Sequence, residues 1–182
     1  LNFAIDEQTS WNSDHRLFNG SISMASAQIV TFNLHGTGTG VAQSIRTEGS
    51  PHLIATDAHP AFGGQDTAPS PLAYVLAGLT SCTQVTAQVV ARDLGIRLGR
   101  FDIALRADLD VAVLATGADG NGNFSSVNLQ VSIETDATPE QFGRLQAETE
   151  RRCPVSQLYR QSGIAISGAW TQRALDADRR AA

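Results

Sequence analysis

Short apolar runs, Ile29-Val30-Thr31-Phe32 and Leu53-Ile54-Ala55, punctuate the stretch from Ile22 to Asp57 and are separated by turn residues that include His35-Gly36-Thr37-Gly38-Thr39-Gly40. The pattern predicts a small antiparallel meander, with the glycine run as a flexible hairpin. Ser70-Pro71 then supplies a helix start and Gly95 a stop, because Ser caps free amides, Pro fits the first helical position and Gly accepts the left-handed turn beyond the last one. Between them Leu72, Val75, Leu76, Leu79, Cys82 and Val89 recur at helical spacing, and no charged residue occurs from Thr67 to Ala91. Ala73, Ala77, Gly78, Ser81 and Ala87 on the other faces permit close approach, so this helix is expected to be enclosed on most sides. Gln84, Gln88 and several hydroxyl residues make it too polar for a membrane span.

Beyond Gly95 the period changes to two. Phe101, Ile103, Leu105, Ala107, Leu109, Val111 and Val113 alternate with Asp102, Arg106, Asp108 and Asp110; Val127, Leu129, Val131 and Ile133 alternate with Asn128, Gln130, Ser132 and Glu134. The intervening run from Gly117 to Asn123 reads as a hairpin loop. Thr138-Pro139-Glu140-Gln141 forms a capping box that opens a helix to about Arg152, Pro154 restarts the chain as a short helix, and Ile164, Ile166 and Trp170 mark a last strand. Strands and helices are segregated rather than alternating, which argues α+β. A few strands from one chain cannot cover so apolar a helix, so a partner subunit in a twofold homodimer is expected. The organisation read from these patterns is an arm over 1–20, one domain over 21–173 and a polar tail over 174–182.

Composition changes the picture mainly by exclusion. The chain has 182 residues, 42% hydrophobic and 17% charged, which suits one core-forming domain rather than disorder. All 13 basic residues are Arg, so lysine Schiff bases, pyridoxal-phosphate anchoring and a Walker A loop are excluded. A net charge of -5 without a basic patch argues against nucleic-acid binding. Two cysteines are too few for a secreted disulfide scaffold, and the opening residues lack a secretory pattern, so a reducing, cytoplasmic setting is expected.

The chemistry therefore falls to Cys82, on the apolar stripe of the long helix, and Cys153, at a helix break after Arg151-Arg152 and before Pro154. One reading makes both inert core thiols, since free Cys is commonly buried as a small hydrophobe. If either is reactive, local sequence favours Cys153, because two arginines and a following helix N-terminus stabilise a thiolate, whereas Cys82 needs a cation brought by the fold. His15, His35, His52 and His59 share no ligand spacing, although His59 stands near Asp57, and no metal is expected. Asp108 and Asp110 read as solvated residues on the wet face of a strand. No cofactor is called for.

Three segments resemble one family. Gly63-Gly64-Gln65-Asp66-Thr67-Ala68-Pro69-Ser70-Pro71, Leu79-Thr80-Ser81-Cys82-Thr83 and Arg152-Cys153-Pro154-Val155-Ser156 are similar to motifs of the OsmC/Ohr proteins, the osmotically inducible and organic hydroperoxide resistance proteins. The resemblance spans about residues 22–172. It implies an intertwined α+β homodimer with antiparallel sheets around a long, buried, cysteine-bearing helix. It also implies a thiol peroxidase in which Cys82 attacks an organic hydroperoxide and becomes a sulfenic acid, Cys153 condenses with it to a disulfide, and a dithiol such as a lipoyl group restores both.

The chain departs from that family at two helpers. Family peroxidases carry Glu directly after the Pro that opens the long helix, and this chain has Leu72 there. They also hold the thiolate with an Arg from a preceding loop, whereas Arg46 is the only Arg between Arg16 and Arg92. Arg46, or an arginine of a second chain, and Gln65 or Asp66 are the substitutes the sequence offers. Two alternatives remain: a non-catalytic dimer that binds a small apolar ligand in the groove between subunits, and a permanent Cys82–Cys153 structural disulfide.

Overall fold

The computed structural model describes residues 27–176. The chain divides into a segment ending at Asn33, whose described part has no regular structure, and a body that begins at Leu34. Most of the expected arm and tail, 1–20 and 177–182, lies outside the described residues.

The body opens with an antiparallel meander of β1 (Leu34–Thr39), β2 (Ala42–Thr47) and β3 (Leu53–Thr56). The meander is there, but its first strand is the glycine run itself, and Ile29–Phe32 forms no strand. Gly38 explains the difference: a Cβ there would stand 2.2 Å from the Ala42 carbonyl oxygen, so glycine serves close backbone approach within a strand. The turn is confined to Gly40-Val41, between the paired Thr39 and Ala42, with Gly40 at φ 61°.

Helix α1 runs Pro71–Leu94. The Ser70 hydroxyl accepts the Ala73 N–H at 3.2 Å, and Gly95 at φ 66° turns the chain so that the Ile96 N–H reaches the Ala91 carbonyl at 3.1 Å. The second sheet follows: β4 (Leu98–Leu109), a short α2 (Val111–Thr116), β5 (Phe124–Thr135), α3 (Pro139–Arg152), α4 (Pro154–Gln161) and β6 (Ala165–Arg173), in the order β4-β5-β6. β4 and β5 pair antiparallel. β6 pairs parallel to β5, so this sheet is mixed rather than antiparallel throughout, as a strand returned by a helical crossover must be. Val111 and Val113 belong to α2 and not to the alternating strand, because the Asp110 carboxylate accepts the Ala112 N–H at 2.9 Å and caps a new helix. Asp108 is likewise engaged, by Arg106 at 3.2 Å and the Ser126 hydroxyl at 2.8 Å.

α1 lies on the sheet along one face. Its C-terminal half contributes Ala87, Val90 and Ala91 to a core with Val131, Ile133, Phe142 and Leu145, and its N-terminal half packs Leu79 against Val127 and Tyr159. The other faces are not enclosed within one chain: Val75 is 50% and Val85 64% exposed, and β1 is exposed along its length. Among the described residues no helix is long and apolar enough to cross a membrane.

Candidate functional site

Cys153 stands where α3 ends and α4 begins. Pro154 has no N–H to continue α3 and holds the preceding residue in extended backbone, so Cys153 adopts φ -74° and ψ 112° and caps both helices. Its N–H donates to the Thr149 carbonyl at 2.9 Å, closing α3; its carbonyl accepts the Gln157 N–H at 3.0 Å, starting α4. Its sulfur accepts the Ser156 N–H at 3.4 Å, in the place a Ser or Asp oxygen usually takes.

Cys82 reaches this junction from the middle of α1, between the two halves of the core. Pro154 removes one of the unpaired amides of α4's first turn; the Ser156 N–H donates to the Cys153 sulfur, and the Val155 amide eases the ionisation of Cys82. The two thiols perturb each other's ionisation, and the Thr86 hydroxyl, one turn along α1 from Cys82, acts on both. Cys153 is fully buried and Cys82 half-buried. Both are free thiols here.

The pair ionises unequally. Burial pushes Cys82 above the usual thiol range, and the neighbouring Cys153 pushes it further, against the Val155 amide and Thr86. Burial opposes the Cys153 thiolate too, but the Ser156 hydroxyl, the Ser156 amide, the Cys82 thiol and Thr86 together outweigh it and bring Cys153 below its ordinary value. Of the two, Cys153 is the easier to ionise.

The arginines flanking Cys153 do not produce this effect. Arg152 pairs with Asp93 at 2.6 Å and Arg151 with Glu148 at 2.7 Å. Arg46 is exposed on β2, opposite His35 and Leu53. Gln65 and Asp66 lie exposed in a loop folded around Asp57, whose carboxylate accepts the N–H groups of Ala58, Gln65 and Thr67 and the Thr67 hydroxyl at 2.7–3.1 Å. His59 caps the turn at Pro60–Phe62 through Nδ1, so it and Asp57 have structural duties. Arg46, Gln65 and Asp66 are not among the groups that chiefly set either thiol's ionisation within this chain.

Two hollows flank the pair. An apolar groove of about 460 Å³ runs past Tyr74, Val75, Gly78, Val155, Leu158 and Ile164, reaching α1 one turn before Cys82. A second cavity, about 240 Å³, touches Thr83, Thr149, Ser156 and the Glu150–Arg160 ion pair on the side of Cys153. Ser156, Thr86 and the Val155 amide are the site's groups that sequence reading missed. The signal for Ser156 was its place three residues after Cys153, the spacing by which a cap meets its amide.

Comparison with known proteins agrees with this layout. A family model described as OsmC-like protein matches residues 64–167, more than half of the 182-residue chain. The chain belongs to the OsmC-like family. An OsmC-like protein from Mycoplasma pneumoniae has the same fold, with a TM-score of 0.67 at 18% identity over 80% of this chain and 99% of that one. An organic hydroperoxide resistance protein from Elizabethkingia anophelis, solved with thiocyanate bound, gives 0.63 at 19% identity over 81% and 100%. An OsmC-like protein of unknown function from Vibrio cholerae gives 0.62 at 12% over 78% and 99%. No curated protein matches the chain by sequence. OsmC-like structures of this kind share the α+β fold, and they include both an organic hydroperoxide resistance protein and a protein of unknown function.

Proposed function

We propose that this OsmC-like chain is a cysteine-dependent peroxidase that reduces organic hydroperoxides through Cys82 and Cys153. The observation that carries the reading is the meeting of these two thiols, brought from α1 and the start of α4, with hydrogen-bond donors divided between them. Cys82 is the attacking sulfur because it is half-buried, one turn along α1 from Gly78 in the apolar groove that suits an alkyl group, whereas Cys153 is sealed.

The proton inventory follows from the unequal pair. Cys153 takes up the Cys82 proton, and the Cys82 sulfur bonds to the distal peroxide oxygen to give the sulfenic acid; the O–O bond breaks, and the alkoxide so displaced leaves as an alcohol with that proton. Cys153, again a thiolate, attacks the Cys82 sulfenic acid and expels hydroxide, forming the disulfide. A dithiol of the lipoyl type then supplies two electrons and returns both thiols. Cys153 is thus the base nearest Cys82.

The proposed assembly is a homodimer. The outer face of α1 and the meander are uncovered in one chain, and a second copy would bury them. Arg46 on that meander, with Gln65 and Asp66 on the adjoining loop, would then serve the partner's thiol pair rather than its own.

The second reading, a non-catalytic dimer holding a small apolar ligand, draws on the groove itself, where Leu158 is 68% exposed. Replacing Cys82 by Ser separates the two. A peroxidase loses dithiol-dependent consumption of an alkyl hydroperoxide, whereas a binding module consumes none before or after and keeps its ligand.

A further inference from the structure

We propose that the cavity between α1, α3, α4 and the strands β5 and β6 binds a small neutral molecule bearing a hydroxyl group, and that Thr149 is the residue that holds it. The site shares no lining residue with the apolar groove, so the inference does not depend on the peroxidase reading.

The cavity measures about 240 Å³, which exceeds the ~150 Å³ that admits a benzene-sized molecule. Leu79, Thr83 and Thr149 form its floor, each no more than 2% exposed, and the Glu150–Arg160 pair stands at its partly exposed mouth. Thr149 behaves unlike other hydroxyl residues of the helices. Thr83 donates back to the Leu79 carbonyl and Thr116 to the Ala112 carbonyl, each at 2.8 Å and one turn earlier. Thr149 Oγ1 makes no such bond. It is buried, on a residue 1% exposed, and has no hydrogen-bond partner among the described residues. A buried hydroxyl that bonds to nothing costs stability, so a ligand that bonds to it recovers what the fold leaves unused.

The rest of the lining selects the kind of ligand. Charge is cancelled, because Arg160 and Glu150 pair at 2.8 Å and Glu150 also accepts the Gln146 amide at 3.0 Å. An ion would enter with no counter-charge, so the occupant is neutral. The Thr83 hydroxyl has spent its proton on Leu79 and keeps an acceptor; the Ser167 hydroxyl accepts the Asn128 amide at 2.8 Å and keeps its proton. With Thr149, which can give or take, they suit a group that both donates and accepts, as a hydroxyl does. Leu79, Leu129, Ile166 and Trp170 supply apolar surface for a hydrocarbon body.

The test uses the full chain with Trp11→Phe, which leaves Trp170, in the cavity wall, as the one tryptophan. Cyclohexanol is the probe and cyclohexylammonium its charged counterpart. Cyclohexanol is expected to shift Trp170 emission saturably, and cyclohexylammonium to leave it unchanged. Thr149→Val keeps the side-chain shape and removes the hydroxyl, so it should weaken cyclohexanol binding about fivefold, the scale of one hydrogen bond; Thr149→Ser should retain it. Without the probe, Thr149→Val should melt no lower than its parent, because the hydroxyl has no bond to lose. Leu158→Ala, in the groove, should leave cyclohexanol binding as it was. The proposal is overturned by any of five results: no saturable shift, equal affinity in Thr149→Val, a lower melt in Thr149→Val, a response lost in Leu158→Ala, or equal binding of cyclohexylammonium.

Discussion

Cys153 Sγ accepts the Ser156 N–H at 3.4 Å, so a sulfur occupies the capping position of α4 and the first-turn chemistry of a helix becomes the chemistry of a thiol. The Val155 amide of the same turn eases the ionisation of Cys82. A proline and an amide thereby aim a hydrogen-bond donor at the Cys153 sulfur.

Removing Cys153 should make Cys82 easier to ionise. In the intact pair burial raises the Cys82 pKa and Cys153 raises it further, so Cys153→Ala leaves burial opposed by the Val155 amide and Thr86. Iodoacetamide alkylation of Cys82 across pH should show a lower midpoint in the variant; a midpoint that stays put or rises would mean that the thiols do not share a proton.

In solution the mass should be twice the 19.3 kDa of the chain. Val85, 64% exposed on α1, is the position at which a charge should separate the copies, so Val85→Asp is expected to shift sedimentation toward one chain while helical circular dichroism persists.

The loop over 57–67 should loosen in acid. Hydrogen bonds from the Thr67 amide first, then the Ala58 amide, the Thr67 hydroxyl and the Gln65 amide, hold Asp57 down to about 2 from an ordinary 3.8. A depressed folded pKa contributes stability in full above 3.8, and that stability is lost as pH falls toward 2. Thermal melts should show wild type losing more stability than Asp57→Asn between those limits, with Asp57→Asn the less stable protein at neutral pH.

Gly64 closes the same loop. A Cβ on it would stand 1.8 Å from the Ala58 carbonyl oxygen, backbone that cannot yield as a side chain does. Gly64→Ala should cost about 3 kcal/mol in chemical denaturation, the upper end of an overpacking penalty.

The elements that announced themselves in sequence are those whose ends carry local chemistry. α1 lies between its Ser-Pro cap and Gly95, and α3 between its capping box and Pro154, because a cap is a contact among neighbours in the chain. β1 was hidden, since Gly36 and Gly38 read as loop residues and the reason for them, the approach of β2, is not local. Val111 and Val113 misled for the converse reason: they prolonged a period of two past the point where Asp110 caps a helix. At the site, the cysteines and the helix start beside Cys153 were legible. The partner of Arg152 was not, because Asp93 lies 59 positions away and only folding joins them.

The most direct measurement of the central claim is the state of the two sulfurs after the reduced protein meets one equivalent of an alkyl hydroperoxide, read by peptide mass mapping without reductant. The account predicts that peptides containing Cys82 and Cys153 are linked with the loss of two hydrogens and that one equivalent of alcohol appears. Two free thiols with the hydroperoxide unconsumed, or a Cys82 sulfenic acid that never passes to Cys153, would contradict it.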